Sequence, residues 1–137
     1  MRESKKILLV DDDPDIIEQL SLSLAEEGYV VTAAGSRAEA EEALLAGKPD
    51  LAILDLMMEE QDSGFVLCYE CKKLFPNVPV IILTSVKAAT GMSFAPESSE
   101  EQSWVKADSI LDKPVRLERL KNEIHRLLVQ AEAKQTA

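Results

Sequence analysis

Basic residues are scarce in this chain. Fifteen lysines and arginines stand against 25 aspartates and glutamates, a formal charge of −10 over 137 residues. Nucleic-acid binders draw much of their affinity from basic groups meeting phosphates, so this balance argues against a nucleic-acid partner. Cysteine is nearly absent: Cys68 and Cys71 are the only two. No disulfide framework can be expected from them, and reduced thiols in a cytoplasmic setting are the default. Their C-x-x-C spacing falls inside a predicted helix, where cysteine packs as a small apolar residue. No charged-then-apolar leader opens the chain, and no apolar run approaches the roughly 18 residues a bilayer span needs. A soluble protein with no membrane partner is therefore expected. The single histidine, His125, falls on the last predicted helix, where a solvated or partner-facing role outweighs catalysis. No internal repeat and no linker break the chain. Residues 1–137 read as one domain with a core over about 5–130 and a frayed tail after Gln130.

What the chain does have is short apolar runs that stop at acids. Leu51-Ala-Ile-Leu-Asp55 follows a turn signal at Lys48-Pro49-Asp50, and Ile7-Leu-Leu-Val10 runs into Asp11-Asp12-Asp13. Each run reads as a buried strand. Tyr29 to Thr32, Val80 to Leu83 and Ser109 to Leu111 supply three more. Helices alternate with them. Asp13-Pro14 is an N-cap with a first-turn proline, opening a helix that buries Ile17, Leu20 and Leu24 and stops at Gly28. Ser36-Arg-Ala-Glu39 is a capping box for a helix ending at Gly47. Phe65 to Phe75 places Leu67, Cys71 and Leu74 on one face, and Leu117, Leu120, Ile124, Leu127 and Leu128 share a face of the last helix. Between Val86 and Asp108, Gly91, Pro96 and a Ser/Glu cluster break the pattern, so a long loop with at most a short helix near Trp104 is expected.

Strands alternating with helices imply right-handed βαβ units, and the near-unbroken apolar strands imply burial on both faces. The expected fold is α/β: a doubly wound, flavodoxin-like five-stranded parallel sheet of order 2-1-3-4-5. In that order strands one and three are neighbours at the topological switch point, where ligands bind past the strand carboxyl ends. The acids at 11–13 and Asp55 would meet there. Close carboxylates repel, and an all-oxygen donor set with room for water suits magnesium. Helix capping accounts for Asp13 but not for Asp55, which opens no helix. Thr84 and Lys113 also end apolar strands and should reach the same crevice. A hydroxyl and a compact cation beside acids form a kit for moving phosphate onto a carboxylate.

At this point the chain resembles the receiver domain of two-component response regulators, over roughly residues 5–130. Ile7-Leu-Leu-Val-Asp-Asp-Asp-Pro14, Leu54-Asp55-Leu56-Met57, Leu83-Thr84-Ser85 and Asp112-Lys113-Pro114 match its motifs in order and spacing. The resemblance implies Asp55 as phosphoacceptor. It implies a magnesium ion held by Asp11, Asp12, Asp55 and the backbone carbonyl of Met57. Thr84 and Lys113 become the phosphoryl contacts, with a cis Lys113-Pro114 peptide. Three features depart from the family. Glu59 stands where a proline is usual, with Gly64 one place later than the usual glycine. Ile110 stands where an aromatic switch residue is usual, and the interval from Thr84 to Lys113 is long.

The expected function is a stand-alone receiver that takes a phosphoryl group from a histidine kinase on Asp55 and switches binding to a downstream protein. Residues 86–112 and the last helix would carry that contact, and phosphorylation would reorder 86–108. The protein would not be an enzyme beyond catalysing its own phosphorylation and dephosphorylation. Apolar Met57 and Val86 would flank the attacking water and make self-dephosphorylation slow. The alternatives are a phosphorelay intermediate or phosphate sink and, less favoured for want of a cap that excludes water, an aspartyl-phosphate phosphohydrolase.

Overall fold

The computed structural model describes residues 5–55, 63–85, 108–113 and 116–136. Five parallel strands lie in the order β2-β1-β3-β4-β5, as the alternation of strands and helices predicts. They are β1 (Lys6–Val10), β2 (Val30–Ala34), β3 (Leu51–Asp55), β4 (Val80–Ser85) and β5 (Ser109–Lys113). The described helices are α1 (Pro14–Glu26), α2 (Arg37–Ala46), α3 (Ser63–Leu74) and α4 (Leu117–Thr136). The expectations for Met57, Glu59, Val86, Trp104, the Lys113-Pro114 peptide and most of the 86–108 segment lie outside the described residues.

Local chemistry sets the helix ends. The Asp13 side chain accepts a hydrogen bond from the Asp15 N–H at 2.9 Å, with Pro14 in the first turn of α1. Glu27 caps the other end, and Gly28 follows at φ +95°, a left-handed turn that glycine adopts without strain. At α2, Ser36 Oγ accepts from the Glu39 N–H at 3.2 Å. The Glu39 carboxylate reaches back to the Gly35 N–H, also at 3.2 Å, one residue earlier than a standard capping box would place it.

Because neighbouring residues of a strand face opposite sides, each apolar run feeds two cores. Ile7, Leu9, Leu51, Ile53, Ile81 and Leu83 pack on one side against Leu24 of α1 and Leu120, Ile124 and Leu127 of α4. Leu8, Val10, Ala52, Leu54, Val80 and Ile82 pack on the other against Ala40 and Leu44 of α2 and Leu67, Cys68 and Cys71 of α3. Burial on both faces is why the strands carry no polar alternation.

One expectation needs correction. The buried stripe of α3 is Leu67, Cys68 and Cys71, while Leu74 is 46% exposed. Phe75 and Val78, just past the helix, continue that core instead. Beyond Gln130, α4 continues to Thr136. Ala131, Glu132, Ala133, Lys134 and Gln135 are all good helix formers, so the helix propagates past its last apolar anchor.

Two further contacts lock the sheet. The Asp108 carboxylate accepts from the Val80 N–H at 2.8 Å and from Lys72 Nζ at 2.7 Å, joining α3 to the starts of β4 and β5. Ser109 Oγ donates to Glu123, whose other oxygen accepts from Arg126, tying β5 to α4.

Candidate functional site

The register of the sheet brings the strand-end acids together. Val10 of β1 pairs with Leu54 of β3, so the next residues, Asp11 and Asp55, leave the sheet side by side. Asp55 is the last residue of β3 and Asp11 the first after β1. Both are buried, whereas Asp12 is exposed. One carboxylate oxygen from each of Asp11, Asp12 and Asp55 lies within 4.8 Å of the others. Among the described residues these three alone form a cluster that could hold a metal ion. The third residue of the acid run, Asp13, is occupied with capping α1. Its own N–H donates to Asp11 Oδ1 at 2.9 Å, which helps fix the Asp11 side chain.

Three carboxylates so close repel one another, and two of them have little water to screen the charge. The donor set is all oxygen, it is bounded by strand ends rather than enclosed, and one acid faces solvent. That set fits a hard divalent cation that keeps some of its waters, which describes magnesium better than a dedicated calcium cage.

Thr84 supplies an independent sign. In the sheet, Asp55 pairs with Leu83, so Thr84 is one residue further out on the adjacent strand β4. It is 1% exposed, and among the described residues its Oγ1 has no hydrogen-bond partner. A buried hydroxyl without a partner costs about 1–3 kcal/mol. Such a group beside an acidic crevice is one that a ligand oxygen would satisfy. The Lys113 backbone ends β5, in register with Ser85 and one residue beyond the Thr84–Asp112 pair. Asp11, Asp12, Asp55 and Thr84 thus converge at the carboxyl end of the sheet, and the backbone of Lys113 ends at the same edge. Met57 lies outside the described residues.

Sequence reasoning missed Asp108. It carried no motif, yet its carboxylate joins α3 to the start of β4 just before β5 begins. No local pattern could have revealed it, because its partners Lys72 and Val80 are 36 and 28 residues away. The two cysteines take no part in the site. Both are buried, and desolvation raises their thiols to about 12 for Cys68 and about 11 for Cys71, so they remain protonated and inert. Among the described residues no helix is long and apolar enough to cross a membrane.

Comparison with known proteins agrees with this geometry. A family model described as the response regulator receiver domain matches residues 7–125. The transcriptional regulatory protein GlrR of Escherichia coli (strain K12) is 49% identical over 79 residues, covering 58% of this chain and 18% of that protein. The response regulator MprA of Mycobacterium ulcerans (strain Agy99) is 32% identical over 125 residues, covering 91% of this chain and 50% of that protein. The chain therefore spans half or less of the length of these curated relatives. Among solved structures, a CheY-like receiver domain protein from Methanospirillum hungatei JF-1 aligns with a TM-score of 0.80 at 27% identity, covering 96% of this chain and 99% of that one. The response regulator TrrA from Thermotoga maritima, solved in complex with magnesium and BeF, aligns with a TM-score of 0.71 at 33% identity over 90% of this chain and 98% of that one. With the fold, the strand-end acids and a family match over most of its length in agreement, this chain belongs to the receiver domain family of two-component response regulators.

Proposed function

We propose that this receiver accepts a phosphoryl group on Asp55 from a phosphohistidine of a histidine kinase, with magnesium as cofactor, and that phosphorylation switches its binding to a protein partner. The observation that carries this reading is the cluster of Asp11, Asp12 and Asp55 within 4.8 Å, next to the unpartnered Thr84 hydroxyl. In the transfer, a carboxylate oxygen of Asp55 forms a bond to phosphorus as the phosphorus–nitrogen bond of the phosphohistidine breaks. The electron pair leaves with the imidazole, and an acyl phosphate remains on Asp55.

Asp11 and Asp12, with Asp55, are the residues that would hold magnesium, and by family resemblance the Met57 carbonyl would join them. When bound, the ion supplies positive charge that offsets the crowded carboxylates and the phosphoryl oxygens. Asp11 is kept in place by the Asp13 N–H, so the site needs little rearrangement to work. The Thr84 hydroxyl donates to a phosphoryl oxygen, which would satisfy a group otherwise left without a partner. Lys113 provides a point charge for another phosphoryl oxygen. The chemistry is confined to the protein's own aspartate, so the chain is a switch and not an enzyme acting on other substrates.

The relative from Thermotoga maritima, solved with magnesium and BeF, supports the choice of ion and of phosphoryl chemistry for this chain. The output is assigned to segment 86–112 and α4, whose flanks Thr84 and Lys113 would both be gripped by the phosphoryl group. The test is labelling with acetyl phosphate or kinase in magnesium, followed by mapping of the modified residue. Stoichiometric label on Asp55 that disappears in Asp55→Asn is expected. Undiminished labelling of that variant at another residue overturns the assignment.

A further inference from the structure

The opposite end of the sheet carries a hollow that the phosphoryl chemistry does not use. Lys6 begins β1 two residues before Leu8, so it shares the sheet face that α2 and α3 cover. In register, Lys6 pairs with Val30 and Leu8 with Thr32, and β2 is the edge strand. Helix α2 crosses this corner with Ala40 and Leu44 buried in the core, while the part of it that borders the hollow is Ala43, Ala46 and the following Gly47. Methyl groups cannot fill the space that a leucine would fill. A cavity of about 300 Å³ is left over Leu8, Val30 and Thr32, and Val30 stays half exposed.

The rim of this cavity is fixed in place. The Asp50 N–H donates to the Lys6 carbonyl at 2.8 Å, and the Lys6 N–H donates to the Asp50 carboxylate at 2.7 Å. This reciprocal pair clamps the turn Gly47-Lys48-Pro49 against β1, with Pro49 buried beneath it. Lys6 and Lys48 both line the hollow and no acid does, the nearby Asp50 carboxylate being taken up by the Lys6 N–H. Several cations elsewhere in the chain are engaged. Lys5, Lys72, Lys121, Arg37 and Arg126 are each engaged by a carboxylate. In a protein of formal charge −10, a lining with two lysines and no acid is a local excess of positive charge. Lys48 also sits where the carbonyl end of α2 favours a cation. That accounts for one lysine and not for Lys6 or for the hollow.

We propose that this cavity is a binding site for a small amphipathic anion, a carboxylate with a short aliphatic or single-ring aromatic body. The apolar body would lie over Val30 and the alanines of α2, displacing water from surface now half exposed. The carboxylate would sit at the rim between the two lysines. A volume near 300 Å³ is at the small end for ligand pockets, and apolar walls with a few convergent charges are their usual lining. An alcohol of the same length would gain the apolar contact alone, and an ammonium would be repelled. The site lies roughly 15 Å from the acidic crevice, the length of a five-residue strand, and does not depend on the chemistry at Asp55.

The test is a titration of the isotope-labelled full chain, followed by amide chemical shifts, with hexanoate, hexan-1-ol and hexylammonium as probes. Saturable shifts confined to Val30, Thr32, Ala43, Ala46 and their neighbours are expected. Hexanoate should bind about fivefold tighter than the alcohol, the return expected from solvated charge contacts. The Lys6→Gln, Lys48→Gln double variant should erase that preference while still binding the alcohol. Ala46→Leu, at an exposed helical position that tolerates leucine, should fill the cavity and abolish binding of both probes. Shifts that never saturate, equal affinity for carboxylate and alcohol in the wild type, or binding that survives Ala46→Leu would each overturn the proposal.

Discussion

Neutralising Asp55 should stabilise the metal-free protein. Charges 4.8 Å apart repel by about 0.9 kcal/mol at a dielectric constant near 80 and by about 3.5 kcal/mol at an effective value near 20. Asp12 is exposed, so its repulsion of Asp55 belongs near the lower figure; Asp11 is buried and belongs between the two. Asp55→Asn keeps the side-chain shape and removes both repulsions. After allowance for hydrogen bonds that an amide satisfies less well than a carboxylate, a net gain of about 1–3 kcal/mol is expected. In urea unfolding followed by far-ultraviolet circular dichroism with EDTA present, the midpoint should rise by roughly 0.5–2 M. Magnesium should then stabilise the wild type by mass action and the variant much less, because one ligand charge is gone. An Asp55→Asn midpoint at or below the wild-type value in EDTA, with an equal response to magnesium, would refute the idea that these carboxylates form one strained, cation-binding cluster.

Three other outcomes rest on the contacts of Thr84, Asp108 and Glu70. Thr84→Val should leave stability unchanged or raise it by up to about 1 kcal/mol, since it deletes a buried hydroxyl that lacks a partner, yet it should weaken labelling of Asp55; a destabilised variant that labels normally would show the hydroxyl to be structural. Asp108→Ala should cost about 2 kcal/mol in chemical unfolding, chiefly because the buried Val80 N–H loses its acceptor, and a change under about 0.5 kcal/mol would show that water replaces the carboxylate freely. Stability should also depend on pH through Glu70 of α3, which partial burial and a hydrogen bond to Glu41 raise from 4.5 to about 7. The folded protein binds this proton more tightly than the unfolded chain, so the contribution is full below pH 4.5 and is lost as pH rises through about 7. Glu70→Gln should flatten that part of a stability-against-pH profile, and an unchanged slope in the variant would place the titration elsewhere.

Much of the fold was legible because its signals are local. A continuous apolar run marks a strand buried on both faces, and the caps at Asp13 and Ser36 mark where helices start, so the order of elements could be read from spacing, and the 2-1-3-4-5 sheet followed as the doubly wound arrangement that fits it. The acids of the crevice were legible for the same reason: each ends an apolar run, and parallel strands deliver their carboxyl ends to one edge. Other features depend on which residues meet across the structure. On α3 the face that meets the core runs through Leu67, Cys68 and Cys71 to Phe75 and leaves Leu74 outside, and which of two overlapping helical stripes is buried depends on how the helix sits on the sheet. The Asp108 clamp joins residues distant in the chain, and its role exists only once β4 and β5 are paired. The hollow beside β2 arises from what the last turn of α2 lacks, and alanines at 43 and 46 become a cavity only above the particular strands they cross. Sequence by itself determined the elements, their order and the acids at their ends, because hydrophobic periodicity and capping act over a few residues. Tertiary structure alone decided the 4.8 Å clustering of three carboxylates, the partnerless Thr84 hydroxyl and the shape of the space left unfilled, because strand register and helix tilt are set by packing across the whole core.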